Sequence, residues 1–143
     1  VFDSKGKTFR DDIYPLYKAN RSAPPEDLAQ QFSMIFEMVD AFNIPQVQLE
    51  GFEADDLMGT ISKEVEKGDA NVVLVTGDKD FCQLVSDKVT LLDTMKNKIT
   101  GITEVKEKYV VNPDLVVDVF ALAGDSVDNI PGVKVIGVKT AVS

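Results

Sequence analysis

Gly51-Phe52-Glu53-Ala54-Asp55-Asp56 and Thr76-Gly77-Asp78-Lys79-Asp80 bracket the stretch that decides the fold. Between them, Ala54 to Lys67 carries Leu57, Met58, Ile61 and Val65 at helical spacing, with Gly68 as the expected C-cap. Val72-Val73-Leu74-Val75 then reads as a strand apolar on both faces, as a buried parallel strand should be. With Val47-Gln48-Leu49 as a short strand ahead of the helix, the stretch predicts one βαβ unit. Its two acidic clusters fall at strand-to-helix corners, and in an open parallel sheet such corners share the edge where ligands bind. Two like charges about 4 Å apart cost roughly 4 kcal/mol at an effective dielectric near 20. Carboxylates gathered at that edge therefore call for a cation or for protons. Helix capping accounts for part of the pattern: acids in a first turn favour the dipole, and Asp78 can cap the helix that follows it. Three acids in four residues, Glu53, Asp55 and Asp56, exceed what capping needs, and Asp80 is left over.

Composition narrows the chemistry. The chain has 143 residues, 44% apolar and 27% charged, which fits one globular domain. It contains no His and no Trp, and Cys82 is its one cysteine. That excludes a Ser-His-Asp triad, an imidazole base and a His- or thiolate-built zinc site. Any metal must be held by oxygen, which favours Mg²⁺, Mn²⁺ or Ca²⁺. Cys82 reads as a packing residue and a reducing, cytoplasmic compartment as the natural setting. No apolar run approaches the roughly 20 residues of a membrane span, and no signal peptide is expected. The net charge of −9 does not exclude a nucleic-acid partner, because an acidic metal cleft and a local basic patch can coexist.

Upstream, Val1-Phe2-Asp3 reads as the end of a strand whose beginning is absent, so the chain is expected to be an internal fragment. Residues 4–25 set Lys5, Lys7, Arg10, Lys18 and Arg21 among Tyr14 and Tyr17, with Pro15, Pro24 and Pro25 breaking any long helix. Such a segment is either a solvated connection or an arm that grips phosphates and stacks bases. From Pro25 to Asn43 the stripe Leu28, Phe32, Ile35, Phe36 and Val39 predicts a helix with a core face.

Downstream, a short helix through Phe81, Leu84 and Val85 is expected after Asp78, then strands at Val89–Leu92 and around Ile99. Helices follow over Thr103–Tyr109 and from Pro113 through Leu122 to Gly124. The last stretch adds Asp125 and Asp128, then glycines ahead of Lys139 and Thr140. That pattern predicts a turn whose amides approach a phosphate at a helix N-terminus.

In this order, Val1-Phe2-Asp3 with Lys5-Gly6-Lys7-Thr8-Phe9-Arg10, Tyr17-Lys18-Ala19-Asn20-Arg21, Glu53-Ala54-Asp55-Asp56, Thr76-Gly77-Asp78-Lys79-Asp80 and Gly124-Asp125-Ser126-Val127-Asp128-Asn129-Ile130-Pro131-Gly132-Val133 form a specific set. The chain resembles the 5′-nuclease domain of bacterial DNA polymerase I, and more broadly the flap endonuclease family with its PIN-like fold. The resemblance implies an α/β fold with a mainly parallel central sheet flanked by helices over residues 1–124, and an arch at about 5–25. A helix-hairpin-helix element would begin at 125–143. It implies hydrolysis of DNA phosphodiesters at a 5′ end or flap in replication and repair, with two or more Mg²⁺ or Mn²⁺ ions. Asp3, Glu53, Asp55, Asp56, Asp78, Asp80, Asp125 and Asp128 would supply the metal oxygens, and Lys18, Arg21 and Asp78 the catalytic set. Arg10, Lys18, Arg21, Gly132, Lys134, Gly137, Lys139 and Thr140 would contact DNA. The carbonyls of Leu122, Ala123, Pro131, Val133 and Ile136 would hold a K⁺ ion.

The resemblance further implies a bacterial, nucleoid-associated protein with a linked polymerase. It also implies an earlier strand and helix carrying one more metal-binding Asp. A DNA-binding but catalytically silent module and a PIN-type ribonuclease are the competing expectations. Two positions depart from the pattern: Val135 stands where the hairpin usually has Gly, and Val138 replaces a usually polar neighbour of Lys139. A β-branched residue at Val135 is strained if that position requires φ > 0.

Overall fold

A computed structural model describes residues 1–143 as two compact units, Val1–Leu57 with Val127–Asn129, and Met58–Ser126 with Ile130–Ser143. No helix is long and apolar enough to cross a membrane.

The first unit holds three short helices and the start of a fourth: α1 (Phe9–Ile13), α2 (Glu26–Ala29), α3 (Phe32–Ala41) and α4 (Ala54–Glu66). Where one helix was expected after Pro25, the chain breaks at Gln30-Gln31 into two. Neither has a buried residue. Leu28 and Phe32 are exposed, and Ile35, Phe36 and Val39 are half-buried, so the predicted core stripe is only a partly covered face. Val1–Asp3 and Val47–Leu49 are not strands either. Phe2 donates its N–H to the Val47 carbonyl at 3.0 Å, and Gln48 Nε2 donates to the Asp3 carbonyl. These bonds hold the two segments together without a strand ladder. Phe2 packs on Phe36, and Phe9 on Phe52, with ring centroids 4.3 and 5.7 Å apart.

The second unit carries the core. β1 (Val72–Val75) pairs in parallel with β2 (Val89–Asp93), and β2 pairs antiparallel with β3 (Lys98–Thr100). The sheet is therefore small and mixed, with β1 at its edge. A second difference from expectation is that Leu74 is buried but Val73 and Val75 are exposed, so only one face of the strand is covered. Lys79–Leu84 forms a 3₁₀ helix, α5 spans Ile102–Tyr109, and a 3₁₀ turn at Pro113–Leu115 leads into α6 (Val116–Ala123).

Leu74, Phe81, Cys82, Val85, Val89, Leu91, Val105, Tyr109 and Val116 form the buried cluster. Val89, Val105 and Val116 have no exposed surface, and burial of each such side chain stabilises by about 1.5–3 kcal/mol. Tyr109 meets Phe120 edge-on at 5.5 Å. Along α4 the buried position is Ser62, whose hydroxyl donates to the Gly59 carbonyl at 2.9 Å, whereas Ile61 and Val65 are exposed. The helix ends at Glu66, one residue short of the expected Lys67, and there Lys88 Nζ donates to the carbonyls of Glu66 and Gly68 at 3.3 and 2.5 Å. Those oxygens are the unpaired acceptors that a helix C-terminus leaves.

The C-terminal stretch begins with a two-residue ribbon, β4 (Gly124–Asp125) against β5 (Ile130–Pro131), and ends in α7 (Val138–Ala141). Val135 adopts φ +67° and is fully exposed. The conditional strain is thus realised: a β-branched side chain occupies the left-handed region, at a cost of about 1–3 kcal/mol. Val135→Gly is expected to raise stability by about 1 kcal/mol, the gain net of glycine's greater freedom in the unfolded chain. Thermal denaturation of the two proteins measures it, and an unchanged or lower melting temperature would deny the strain.

Candidate nuclease site

The first unit gathers its charged residues around the N-terminus of α4. A helix start leaves four amide N–H groups without partners. Asp3 Oδ1 accepts from Ala54 N at 2.7 Å, and Asp56 Oδ2 accepts from Glu53 N at 3.0 Å. The second contact is the reaching-back half of a capping box, with an acid at the third helical position. Arg10 then grips Asp56 with both terminal nitrogens, Nη1 to Oδ2 and Nη2 to Oδ1, each at 2.7 Å. This forked geometry is the strong form of the Arg–carboxylate pair. The hydrogen bond to Asp56 holds the Arg10 guanidinium above even its ordinary range, and the same bond holds the Asp56 carboxyl below the usual carboxylate value. Arg10 also lies over the Phe9 ring at 4.6 Å. It ties α1 to the start of α4, and in this state its fork is given to a carboxylate rather than presented to a ligand.

A second group forms where the Tyr17–Arg21 turn meets Asp128. Lys18 takes φ +53°, its N–H donates to the Asp128 carbonyl at 2.9 Å, and Asn129 Nδ2 donates to the Leu16 carbonyl at 2.7 Å. One main-chain bond and one side-chain amide thus fasten the turn to the Asp128–Asn129 segment. Lys18 Nζ donates to Glu53 Oε1 at 2.6 Å and lies 3.9 Å from Asp128 Oδ2. Tyr17 donates its phenolic hydrogen toward Glu53 Oε2 at 2.9 Å, with Asp128 Oδ2 at 3.3 Å, and Arg21 Nη2 pairs with Asp128 Oδ1. Glu53 and Asp128 keep only 13% and 15% of their side-chain surface, so these carboxylates depend on their cations. Burial draws the Lys18 ammonium down, but the bonds to Glu53 and Tyr17 and the nearby Glu53 charge together outweigh it, and the net shift is upward. Burial also pushes the Tyr17 phenol up to about 12.

In the second unit Asp78 caps the 3₁₀ helix, its Oδ1 accepting from Asp80 N at 2.9 Å. Lys79 reaches Asp125 Oδ2 at 2.6 Å and lies over the Phe120 ring at 5.2 Å. The Asp125 bond raises the Lys79 pKa. Further along, Gly124 and Gly132 pass backbone against backbone, and Val133 N donates to the Leu122 carbonyl at 2.8 Å. Ile136 N donates to the Val133 carbonyl at 3.0 Å. Two of the five carbonyls expected to face a K⁺ ion therefore already accept amide hydrogens. Gly137 precedes α7, which carries Lys139 and Thr140, while Lys134 sits exposed on the loop before it.

Asp3, Arg10, Lys18, Arg21, Glu53, Asp55, Asp56 and Asp128 all belong to the first unit. Asp78, Asp80, Asp125 and the C-terminal residues belong to the second. In neither unit do three carboxylates converge on one point as a closed metal cage. Each unit instead pairs acids with cations, and the donors on offer are oxygen throughout, the set a hard dication takes. The Glu53–Asp128 pair already shares one positive charge, that of Lys18. Sequence reading missed the Tyr17 bridge, the Arg10–Asp56 fork and the Lys79–Asp125 pair. Their partners lie 46 residues or more apart for Arg10, Lys79 and the Tyr17–Asp128 contact, beyond the reach of any local pattern.

The fold is mixed α/β, with acids paired to basic residues at the start of α4. The sequence profile described as the 5′-3′ exonuclease, N-terminal resolvase-like domain, matches residues 1–110, and the chain belongs to that family. Among its relatives, DNA polymerase I of Rhizobium leguminosarum is 52% identical over 141 residues, and that of Pseudomonas aeruginosa 48%. Each alignment spans 99% of this chain but only 14% and 15% of those proteins. The 5′-3′ exonuclease of Buchnera aphidicola from Schizaphis graminum is 41% identical, and 49% of its length is covered. This chain therefore spans about one seventh of the polymerases and about half of the exonuclease. A bacteriophage T5 flap endonuclease, solved as a pseudo-enzyme-product complex with DNA and metal ions, superposes with a TM-score of 0.81 at 28% identity. That match covers 98% of this chain and 56% of the phage protein. A T5 5′-exonuclease mutant gives 0.83 at 27% identity, covering 98% and 54%.

Proposed function

We propose that this chain is the metal-dependent 5′-nuclease portion of a bacterial DNA polymerase I, hydrolysing DNA phosphodiesters at 5′ ends and flaps. The observation that carries the proposal is the Lys18–Glu53–Asp128–Arg21 cluster. It sets cations able to bind phosphate beside oxygens able to bind a dication, in a family named for this activity. The relatives named as polymerases support a linked polymerase, and the phage structure with DNA and metal ions supports both the substrate and the cofactor class.

Glu53, Asp55, Asp56 and Asp128, with Asp3, are the metal-directed carboxylates of the first unit, and Asp78, Asp80 and Asp125 those of the second. Mg²⁺ or Mn²⁺ ions, when bound, supply an activated water and neutralise the leaving oxygen, so no His is needed. Lys18 and Arg21 contact the phosphate that is cut. Tyr17 orients Glu53, and Arg10 anchors Asp56 at the helix start. The Gly132–Thr140 segment, with Lys134, Gly137 and Lys139, grips the duplex backbone as the hairpin of a helix-hairpin-helix element, and a K⁺ ion there draws on carbonyls not already paired.

A 5′-flap DNA duplex tests the proposal. Cleavage is expected with Mg²⁺, is expected to vanish when a chelator removes the metal, and to return on re-addition. An RNA strand of the same sequence is expected to be cut poorly. Binding without cleavage would instead establish a silent DNA-binding module, and preferential RNA cleavage a ribonuclease.

A further inference from the structure

The Glu53 and Asp128 carboxylates are engaged by cations and a phenol on three of their four oxygens, and the fourth, Asp128 Oδ2, faces Tyr17 and Lys18 at longer range. Lys18 takes Glu53 Oε1 at 2.6 Å, and Tyr17 takes Glu53 Oε2 at 2.9 Å. Arg21 takes Asp128 Oδ1, while Asp128 Oδ2 faces Tyr17 at 3.3 Å and Lys18 at 3.9 Å. A divalent ion that bridges the two carboxylates takes the place that Lys18 now holds between them. Tyr17 is neutral and Arg21 holds a single carboxylate. Lys18 alone reaches both carboxylates with a full charge.

We propose that Lys18 is the resident counter-cation of the Glu53–Asp128 pair, and that a divalent ion binding there releases its ammonium. The inference rests on the metal-dependent reading above and adds an order of events to it. A doubly charged ion at comparable distance attracts the two carboxylates about twice as strongly as one ammonium. Lysine is suited to yield, because its charge sits at the end of a flexible four-carbon stem, whereas the Arg10 fork at Asp56 is rigid and two-pronged. The Lys18 main chain stays fastened to Asp128 through its N–H at 2.9 Å, so a freed ammonium swings away without leaving the neighbourhood. Dication and phosphate binding are thereby coupled: the same event that loads the carboxylates presents Lys18 to an anion. Before that event the two sets of charges cancel each other, which leaves Lys18 unavailable to a phosphate.

The test uses the 143-residue chain and two readouts that do not depend on cleavage. Mn²⁺ binding is measured for the parent, Lys18→Met and Lys18→Arg. Acylation of Lys18 is followed by peptide mass spectrometry with and without Mg²⁺, with exposed Lys134 as the internal reference. Lys18→Met is expected to bind Mn²⁺ roughly fivefold more tightly, the upper range for a partly exposed ion pair, and Lys18→Arg to stay near the parent. Acylation of Lys18 is expected to rise several-fold when Mg²⁺ is added, while that of Lys134 stays constant. Mn²⁺ binding accompanied by unchanged Lys18 acylation overturns the counter-cation role and leaves the metal-dependent reading standing. If no Mn²⁺ binds at millimolar concentration, both fall.

Discussion

Asp78→Asn is expected to lower the rate of flap cleavage by about 10³ or more while leaving the fold and duplex binding in place. The size follows from charge. An Asn side chain keeps the shape of Asp and one carbonyl oxygen but loses the anion. A hard dication held by neutral oxygens is less tightly bound and less well placed. A thousandfold loss corresponds to about 4 kcal/mol of transition-state stabilisation, within what a metal site supplies. Folding survives because the structural duty of Asp78 needs only an acceptor: its Oδ1 takes the Asp80 N–H at 2.9 Å, and Asn is as good an N-cap. Single-turnover cleavage of a 5′-flap duplex in Mg²⁺, set beside circular dichroism and DNA binding, separates the two effects. Cleavage near the parent rate would remove Asp78 from the chemistry. Loss of the fold would show that the carboxylate charge itself holds the helix start.

Gly132→Ala is expected to destabilise the second unit by about 3 kcal/mol or more, among the largest effects of a single methyl group anywhere in the chain. A Cβ at Gly132 would overlap the Ala123 carbonyl group and come within 2.6 Å of Gly124 N. These are backbone atoms, which cannot step aside as a flexible side-chain end can. Gly124 faces the same crossing from the other side, with φ +74° and a Cβ that would lie 2.7 Å from the Ile130 carbonyl. The methyl therefore forces the Pro131–Val133 loop off α6 and breaks the 2.8 Å bond from Val133 N to the Leu122 carbonyl. Denaturant unfolding measures the loss, and faster amide exchange at Val133 locates it. Gly137→Ala is the matched control, since a Cβ there meets nothing within 4 Å, and a change within about 0.5 kcal/mol is expected. Equal effects from the two substitutions would mean the backbone crossing is not a constraint.

Legibility in the sequence divided along physical lines. Elements whose signal is local were read correctly: α4 to within a residue of its end, the 3₁₀ helix capped by Asp78, β2, β3, α5, and Pro113 opening the run into α6. Each depends on a cap, a turn residue or a period that acts within a few positions. Readings that required knowing what covers a surface went wrong. Val73 and Val75 were expected inside and Leu28 and Phe32 in the core, but all four are exposed. Val47–Leu49 has a strand's composition but only isolated bonds to its neighbour, so no strand forms.

Residue types alone ruled out imidazole and thiolate chemistry, left oxygen as the only metal donor, and marked the acids and bases worth watching. No periodicity could state that Arg10 would be committed to Asp56, or that Lys18 would bridge Glu53 and Asp128. Such pairs form between groups far apart in the chain, and their partners are chosen by where the backbone brings them and by how much water is excluded. Local chemistry is written in order along a polypeptide; the neutralisation of half-buried charges is settled only when distant segments meet.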